Sequence, residues 1–574
     1  DKSNPFNESE TEILINAIDA CKILDPACGS GAFPMGILHK LVFILGKLDP
    51  GNERWKARQI AKLDDVVMRE ELERVFRDNY DDYGRKLYLI ENCIYGVDIQ
   101  PIAVQIAKLR FFISLLVDQK INDALPNRGI RPLPNLETKF VAANTLLGID
   151  KPVQMLLRNP DIDKKEAELK RVRDQHFNAK TPATKRKWRE KDEQLRKELG
   201  ELFLQDGFKP ETAKKLSQWD PYDQNTSAHF FDMEWMFGIQ NGFDICIGNP
   251  PYGIDFQESE LKQVVSVFPQ AKKIPDSYCF FILKSFDLLQ KDAVLSFIVP
   301  NTFCDLENGD NFRRHLLENK KITALWQSGW AFESAVVDTL VLFAQNDIPE
   351  RESLVSITID GLSYTRKNSE FLSNQMMKID YRNPPGKGDL VRKIKRLSVL
   401  LGGILEVKAG VKMYEKGKGE PPQTDEILTM KPYSKIGKTS RGWKILYRGT
   451  DVSRYSLKVR SEFVNYGPWL AAPRNPELFT SPKILMRRTD DRLMSCIDYD
   501  SAIAVNSCHV IKLKSHHTSQ LFYEYLLGIL NSRLVQYVFE ITNPQMVGKV
   551  FAEIKVIYVE RLPIFPASAS QQAP

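Results

Sequence analysis

The chain has 574 residues, 43% hydrophobic and 27% charged, a composition that suits roughly two to four soluble domains with sizeable cores. Its longest strongly apolar run, FFISLLV at 111–117, falls far short of the ~20 residues a membrane helix needs. The net charge of +6, from 80 basic and 74 acidic side chains, permits a nucleic-acid partner without demanding one. Eight cysteines without a Cys-x-x-Cys pair, and seven histidines without ligand spacing beside them, point to reduced thiols in a cytoplasmic protein with no metal site. No secretory signal opens the chain, and its first residue is Asp1, as in a piece of a longer protein.

Residues 21–46, CKILDPACGSGAFPMGILHKLVFILG, read as a strand, a glycine turn and a helix with Pro34 in its first turn. Residues 47–88 are a charged insertion. LIENCIYGVDIQPIAVQIAKLRFFISLL, 89–116, repeats the pattern, with Asp98 at the strand end and Pro101 opening the helix. TKFVAANTLLG, 138–148, is a third strand, ending in Asn144 and Thr145. This alternation predicts a doubly wound parallel sheet, an α/β fold. Residues 151–225 are dense in Lys, Arg and Glu and predict a solvated helical pair projecting from the domain, with a DNA-contacting arm as the sharper alternative. The sheet resumes with FDICIG, the amphipathic helix DSYCFFILKSFDLLQ (276–290), the strand AVLSFIVPNTF (293–303) and last strands within 322–344. Beyond about 350, short β-like runs and one helix near 519–539 predict a separate α+β domain. The reading gives a first domain over 1–365, a linker over 366–399, a second domain over 400–565 and a disordered tail over 566–574.

A glycine turn between strand and helix brings backbone close to a ligand. No lysine follows Gly31 as a P-loop requires, and Gly29, Gly31 and Gly36 miss dinucleotide spacing. S-adenosylmethionine (AdoMet), which carries no phosphate, remains. Asp25 can meet its ammonium group, Asp98 both ribose hydroxyls, and Asn144 with Thr145 the adenine edge. These residues stand at three successive strand ends, where open α/β sheets bind ligands.

ICIGNPPYG, 245–253, runs a buried strand into Asn249-Pro250-Pro251-Tyr252. Two prolines remove two donors and lock two φ angles, so the strand must end in a stiff corner. A rigid corner can offer the Asn249 side-chain oxygen and the Pro250 carbonyl as acceptors to a planar amine, with Tyr252 stacking on its ring. A second Asn-Pro-Pro, at 383–385, lacks the apolar run and the aromatic, and reads as a plain surface turn. In the C-terminal half, RGTDVSRY and MRRTDDR set Arg448, Arg454, Arg487 and Arg488 beside hydroxyl and carboxyl groups, as candidate readers of guanine or phosphate.

DPACGSGAF followed by GNPPY resembles the motif pair of the gamma-order amino-methylating DNA methyltransferases. VLSFIVPNTF and the region to 344 are similar to that family too. The C-terminal half, with KILMRRTDDR, AVNSCHVI and GILNSRLVQYVF, looks like the specificity domain of type IIG restriction–modification enzymes and related phage-defence (BREX-type) methyltransferases. The resemblance covers about 20–565. It implies a Rossmann-like AdoMet-dependent domain, then a target-recognition domain, and methylation of adenine N6 in double-stranded DNA after base flipping. It implies cofactor contacts from Asp25, Pro26, Ala27, Cys28, Gly29, Gly31 and Phe33, from Asp98 and Ile99, and from Asn144 and Thr145. The catalytic corner is Asn249, Pro250, Pro251 and Tyr252, with Phe332 as a second stacking ring. The chain departs from the pattern in its long Asp25-to-Asp98 spacing, in lacking a recognisable Thr-Pro motif before the glycine turn, and in leaving no room there for a nuclease. Any DNA cleavage would therefore reside in a nuclease domain or subunit outside this chain. Competing readings are another planar amine as acceptor (cytosine N4, an RNA base or protein glutamine) or a non-catalytic recognition subunit regulated by AdoMet.

Overall fold

The computed structural model describes residues 4–61, 81–119, 121, 123–124, 126–130, 134–151, 159–327, 338–359, 361–437, 441–458, 461–490, 492–514, 520–543 and 553–568. The chain divides into two compact units, Asp1–Tyr381 and Arg382–Pro574.

The first unit is built on nine strands. These are β1 (Ile23–Asp25), β2 (Ile94–Asp98), β3 (Phe140–Ala142), β4 (Phe243–Gly248), β5 (Leu289–Pro300), β6 (Lys321–Gln327), β7 (Thr339–Gln345), β8 (Leu354–Ile359) and β9 (Leu362–Lys367). They form one sheet in the order β3-β2-β1-β4-β5-β7-β6-β8-β9. The half from β3 to β5 is parallel, as the alternating pattern predicts. The other half is mixed: β7 runs antiparallel to both β5 and β6, and β8–β9 is an antiparallel hairpin. A wholly parallel sheet is thus corrected to a mixed one. The short β-like runs just past 350 complete this sheet, because Val355 and Ile357 supply its buried alternating face. The parallel strands are short and apolar because helices cover both faces. Ala32–Leu48 buries Leu38, Val42 and Leu45 on one side, and Ser277–Leu288 is buried almost all round on the other.

The charged segment 151–225 does not project as a solvated pair. Its helices Pro160–Phe177, Pro182–Gln205 and Pro210–Gln218 insert Ile162, Leu169, Val172, Leu195, Leu199, Phe203 and Leu216 into the main core of the unit. Even some of its charge is interior. Asp192, fully buried, accepts from Arg173 Nε at 2.9 Å and from Arg196 Nε at 2.6 Å. Breaking such a pair one partner at a time leaves an unpaired buried charge, so the trio fixes the helices relative to one another.

The second unit contains an antiparallel sheet, Leu405–Ala409, Cys508–Leu513, Lys483–Arg487 and Ser495–Asp498 in that order. A smaller mixed sheet joins Ser434–Ile436, Glu462–Val464, Lys444–Tyr447 and Ile503–Ala504. The helix expected near 519–539 is two, Gln520–Leu530 and Arg533–Thr542. Asn531 breaks it by turning its side chain onto both Ser495 backbone groups, at 3.0 and 2.9 Å, and Ser532 caps the second helix. Both helices pack on Ile484, Met486 and Ile511 of the larger sheet. The stretch 366–399 carries helices Asn368–Ser373 and Lys387–Arg396. No described helix is long and apolar enough to cross a membrane. All eight cysteines are unpaired thiols, seven of them buried.

Candidate active site

The carboxyl ends of β1, β2, β3 and β4 lie side by side; β1 and β2 end in Asp25 and Asp98, and Asn144 and Asn249 follow just past the ends of β3 and β4. Asp25 closes β1 and is only 2% exposed. Burial, with the neighbouring Asp98 charge adding to it, pushes its carboxyl up to about 8; the Ala27 N–H, at 3.2 Å, opposes the shift. Such a carboxyl is poised to become a carboxylate when a cationic group arrives. Gly248, at the end of β4, makes this proximity possible, since a Cβ there would lie 2.6 Å from Asp25 Oδ1.

The glycine loop is held open by β2. Asp98 accepts from Gly29 N at 2.8 Å with one oxygen and from Gln100 N at 2.9 Å with the other. Each carboxylate oxygen retains a second lone-pair site for a ligand hydroxyl. Gly29 adopts φ +52°, and a Cβ there would meet nothing within 4 Å. Its open side is where a ligand can lie against backbone. Gly31 precedes the Ala32–Leu48 helix and abuts Ala107. Ile99 is 56% exposed beside Asp98, and Phe33 and Ala27 are half-buried.

Two of the expected ligand contacts have other work. Thr145 is buried, and its hydroxyl donates to the Pro26 carbonyl at 2.7 Å, tying the third strand end to the glycine loop. That bond supports the loop from the third strand end. Cys28 donates its N–H to Val97 and turns its thiol into the core, where burial raises its pKa well above the ordinary value. Asn144 is half-buried, with its side-chain oxygen accepting from Leu146 N at 3.1 Å; its amide group is the part left to meet a ligand acceptor.

Just past the end of β4, Asn249 Oδ1 is buried and has no hydrogen-bond partner among the described residues. An acceptor left in that state costs about 1–3 kcal/mol, which marks it as awaiting a donor. Pro250 is buried, and Pro251 and Tyr252 are half-buried. The corner is braced from the start of the Ser277–Leu288 helix. Ser277 Oγ donates to the Pro251 carbonyl at 2.6 Å, and Asp276 Oδ1 accepts from Gly253 N at 2.9 Å. In the sequence Asp276-Ser277 reads only as a helix start. By contrast, Asn383 is buried and donates to the Ile541 carbonyl at 3.3 Å, so the second Asn-Pro-Pro, whose Pro385 is exposed, is a surface turn tied to the Arg533–Thr542 helix. Phe332 lies outside the described residues.

Three of the four arginines nominated in the second unit are engaged internally. Arg448 pairs with Glu462 through Nε at 3.0 Å and Nη2 at 2.6 Å. Arg487 donates to the Gly449 and Val452 carbonyls, at 3.0 and 2.9 Å, and to Asp490 at 2.6 Å. Arg488 bridges Glu553 and the Asn506 carbonyl. These partners lie up to 65 residues away, beyond what a local motif reveals. Arg454 alone of the four is exposed. Among the described residues, no group of His, Cys, Asp or Glu could hold a metal ion.

Residues 92–330 match the Eco57I restriction-modification methylase family, and residues 444–564 match the TaqI-like C-terminal specificity domain. The chain is similar to a Methanocaldococcus jannaschii protein named "Putative type II restriction enzyme and methyltransferase RM.MjaORFECS2P", 26% identical over 600 residues, covering 93% of this chain and 47% of that one. It is also similar to the Escherichia coli type II restriction enzyme and methyltransferase RM.Eco57I, 27% identical over 139 residues, covering 23% of this chain and 14% of that one. The chain thus spans less than half the length of these curated relatives. Among solved structures it is similar to the type IIL restriction-modification enzyme MmeI in complex with DNA, with a TM-score of 0.48, 12% identity, and coverage of 99% of this chain and 65% of that one.

Proposed function

We propose, from a chain that joins a restriction–modification methylase to a TaqI-like specificity domain, that this protein methylates adenine N6 in duplex DNA at sites chosen by its second unit. AdoMet is the methyl donor. The observation that carries the reading is Asn249 Oδ1, a buried acceptor without a partner among the described residues, just past a strand end beside a glycine loop. The exocyclic amine of adenine is a poor nucleophile, because its lone pair is delocalised into the ring. One N6–H donated to Asn249 Oδ1 and the other to the Pro250 carbonyl would draw the nitrogen towards tetrahedral geometry and free that lone pair. This is positioning and electrostatic stabilisation by groups fixed in advance.

The residues around the loop fit the cofactor's chemistry. Asp25 would hold its ammonium group, Asp98 its ribose hydroxyls, and the open backbone at Gly29 its length; when bound, AdoMet supplies a methyl group activated on sulfur. Asp25, Gly29 and Asp98 are set by contacts within the chain, so the cradle stands ready. The target base must leave the helix to reach Asn249, at a cost of a few kcal/mol. Stacking on Tyr252 returns roughly 1–3 kcal/mol, and Phe332 would supply a second ring. Arg454 is the nominated arginine best placed to meet phosphate or base. A DNA substrate suits a cytoplasmic protein of restriction–modification or phage defence.

The test is incubation of the purified chain with AdoMet and unmethylated duplex DNA, followed by mass spectrometry of the nucleosides. N6-methyladenine is the expected product. N4-methylcytosine would move the acceptor to cytosine, and no methylated nucleoside despite measurable AdoMet binding would contradict the reading.

A further inference from the structure

The corner that offers Asn249 cannot hold itself in place. Pro250 and Pro251 have no N–H, so two of its residues donate no hydrogen bond. Gly253, just beyond, sits at φ +69° with open space where a Cβ would be, and packing does not confine it. Among the described residues, two hydrogen bonds tie 250–253 to the rest of the unit, and both end on adjacent residues, Asp276 and Ser277.

The geometry of Asp276 is informative. It occupies the N-cap of the Ser277–Leu288 helix, where an aspartate ordinarily accepts from the second or third backbone N–H of its own helix. Here the side chain makes no cap bond. Its Oδ1 accepts from Gly253 N at 2.9 Å instead, and the Ser277 hydroxyl lies 3.3 Å from the same oxygen. Ser277 has no exposed surface, and its hydroxyl reaches the Pro251 carbonyl at 2.6 Å. The next residue, Tyr278, meets Thr302 at 3.3 Å, just past the end of β5. One helix start therefore grips the corner on one side and the neighbouring strand end on the other.

We propose that Asp276 and Ser277 are positioning residues for the acceptor corner. They set the direction of the Pro250–Pro251 backbone and of Asn249 without touching the substrate or the cofactor. This rests on the reading of Asn249 as the amine acceptor. The helix that they open is buried almost throughout, so the corner is referred to an element seated in the core of the unit.

The test compares Asp276→Ala, Asp276→Asn and Ser277→Ala with the parent chain in single-turnover methyl transfer, with AdoMet affinity and melting temperature measured on the same samples. Asn keeps an acceptor for Gly253 N while losing the charge. Displacing a reacting group by about 1 Å can slow a reaction by about a hundredfold. The Asp276→Ala and Ser277→Ala rates are therefore expected to fall by about tenfold to a hundredfold, with AdoMet affinity within about threefold of the parent. Asp276→Asn is expected to recover most of the rate. Loss of rate, AdoMet affinity and melting temperature together, with no recovery in Asp276→Asn, would overturn the inference and assign these residues to general stability. A parent that methylates while Asp276→Ala matches its rate would overturn the inference alone. A parent that methylates nothing would overturn the proposed function and this inference with it.

Discussion

The tripeptide Asn-Pro-Pro occurs at 249–251 and again at 383–385, and its asparagine meets opposite circumstances. At 249 it follows a parallel strand next to Asp25 and the glycine loop, and its side-chain oxygen is buried without a partner among the described residues. At 383 it opens a turn, and its amide donates to the Ile541 carbonyl. The prolines stiffen both copies equally. The difference lies in what precedes and receives them: FDICIG threads the first into the sheet, and Asp276 and Ser277 hold it from outside. A rigid acceptor becomes chemistry only where the fold withholds its partner.

The comparison can be broken most forcefully at Gly248. An added Cβ would meet Asp25 Oδ1 at 2.6 Å, so Gly248→Ala should push the corner and Asp25 apart. We expect about 1–3 kcal/mol of destabilisation, as for overpacking, together with loss of AdoMet binding by calorimetry. Normal binding would show that the two strand ends are independent. In the second unit the equivalent test is Arg487→Ala, which removes three hydrogen bonds. About 2–3 kcal/mol of lost stability is expected in denaturant unfolding, and a shift in DNA salt dependence without loss of stability would return this arginine to the DNA surface.

Asp25 sharpens the comparison through pH. Its carboxyl is raised in the folded chain from an ordinary 3.8 to about 8. The folded state therefore holds the proton more tightly than the unfolded state, and the stability this gives is complete below pH 4 and lost as pH rises towards 8. Asp25→Asn lacks that loss. Its melting temperature relative to the parent should climb between about pH 4 and pH 8 and then level off, while AdoMet binding weakens. A pH-independent difference would contradict the burial of this carboxyl. The smallest effect is expected from Thr145→Val, which removes the hydrogen bond to Pro26. About 1 kcal/mol of stability should be lost, with AdoMet affinity within about threefold; a large affinity loss would restore Thr145 as a direct ligand contact.

What the sequence disclosed and what it hid follow from the range of the forces involved. The glycine loop, Asp98 and the Asn249 corner were legible because turn chemistry and strand ends are local. The bond from Thr145 to Pro26 was hidden because its partner lies 119 residues away. The internal partners of Arg448, Arg487 and Arg488 were hidden because a basic cluster shows its charge and not its acceptors. The helices of 160–218 looked solvated because dense charge masks the apolar residues at Leu169, Val172, Leu195 and Leu199 that seat them. The mixed half of the sheet was hidden because strand direction is set by tertiary pairing, which short β-like runs do not encode.

The most direct test of the central claim is single-turnover methyl transfer by the parent chain, Asn249→Ala and Asn383→Ala, at saturating AdoMet and DNA. Removing one fixed hydrogen-bonding group from a reacting centre typically slows it by about a hundredfold to a thousandfold, and Asn249→Ala should do so with AdoMet affinity nearly unchanged. Asn383→Ala, measured per folded molecule, should keep the parent rate. An Asn249→Ala chain that methylates as fast as the parent, or an Asn383→Ala chain that fails equally, would contradict the assignment of Asn249 as the acceptor.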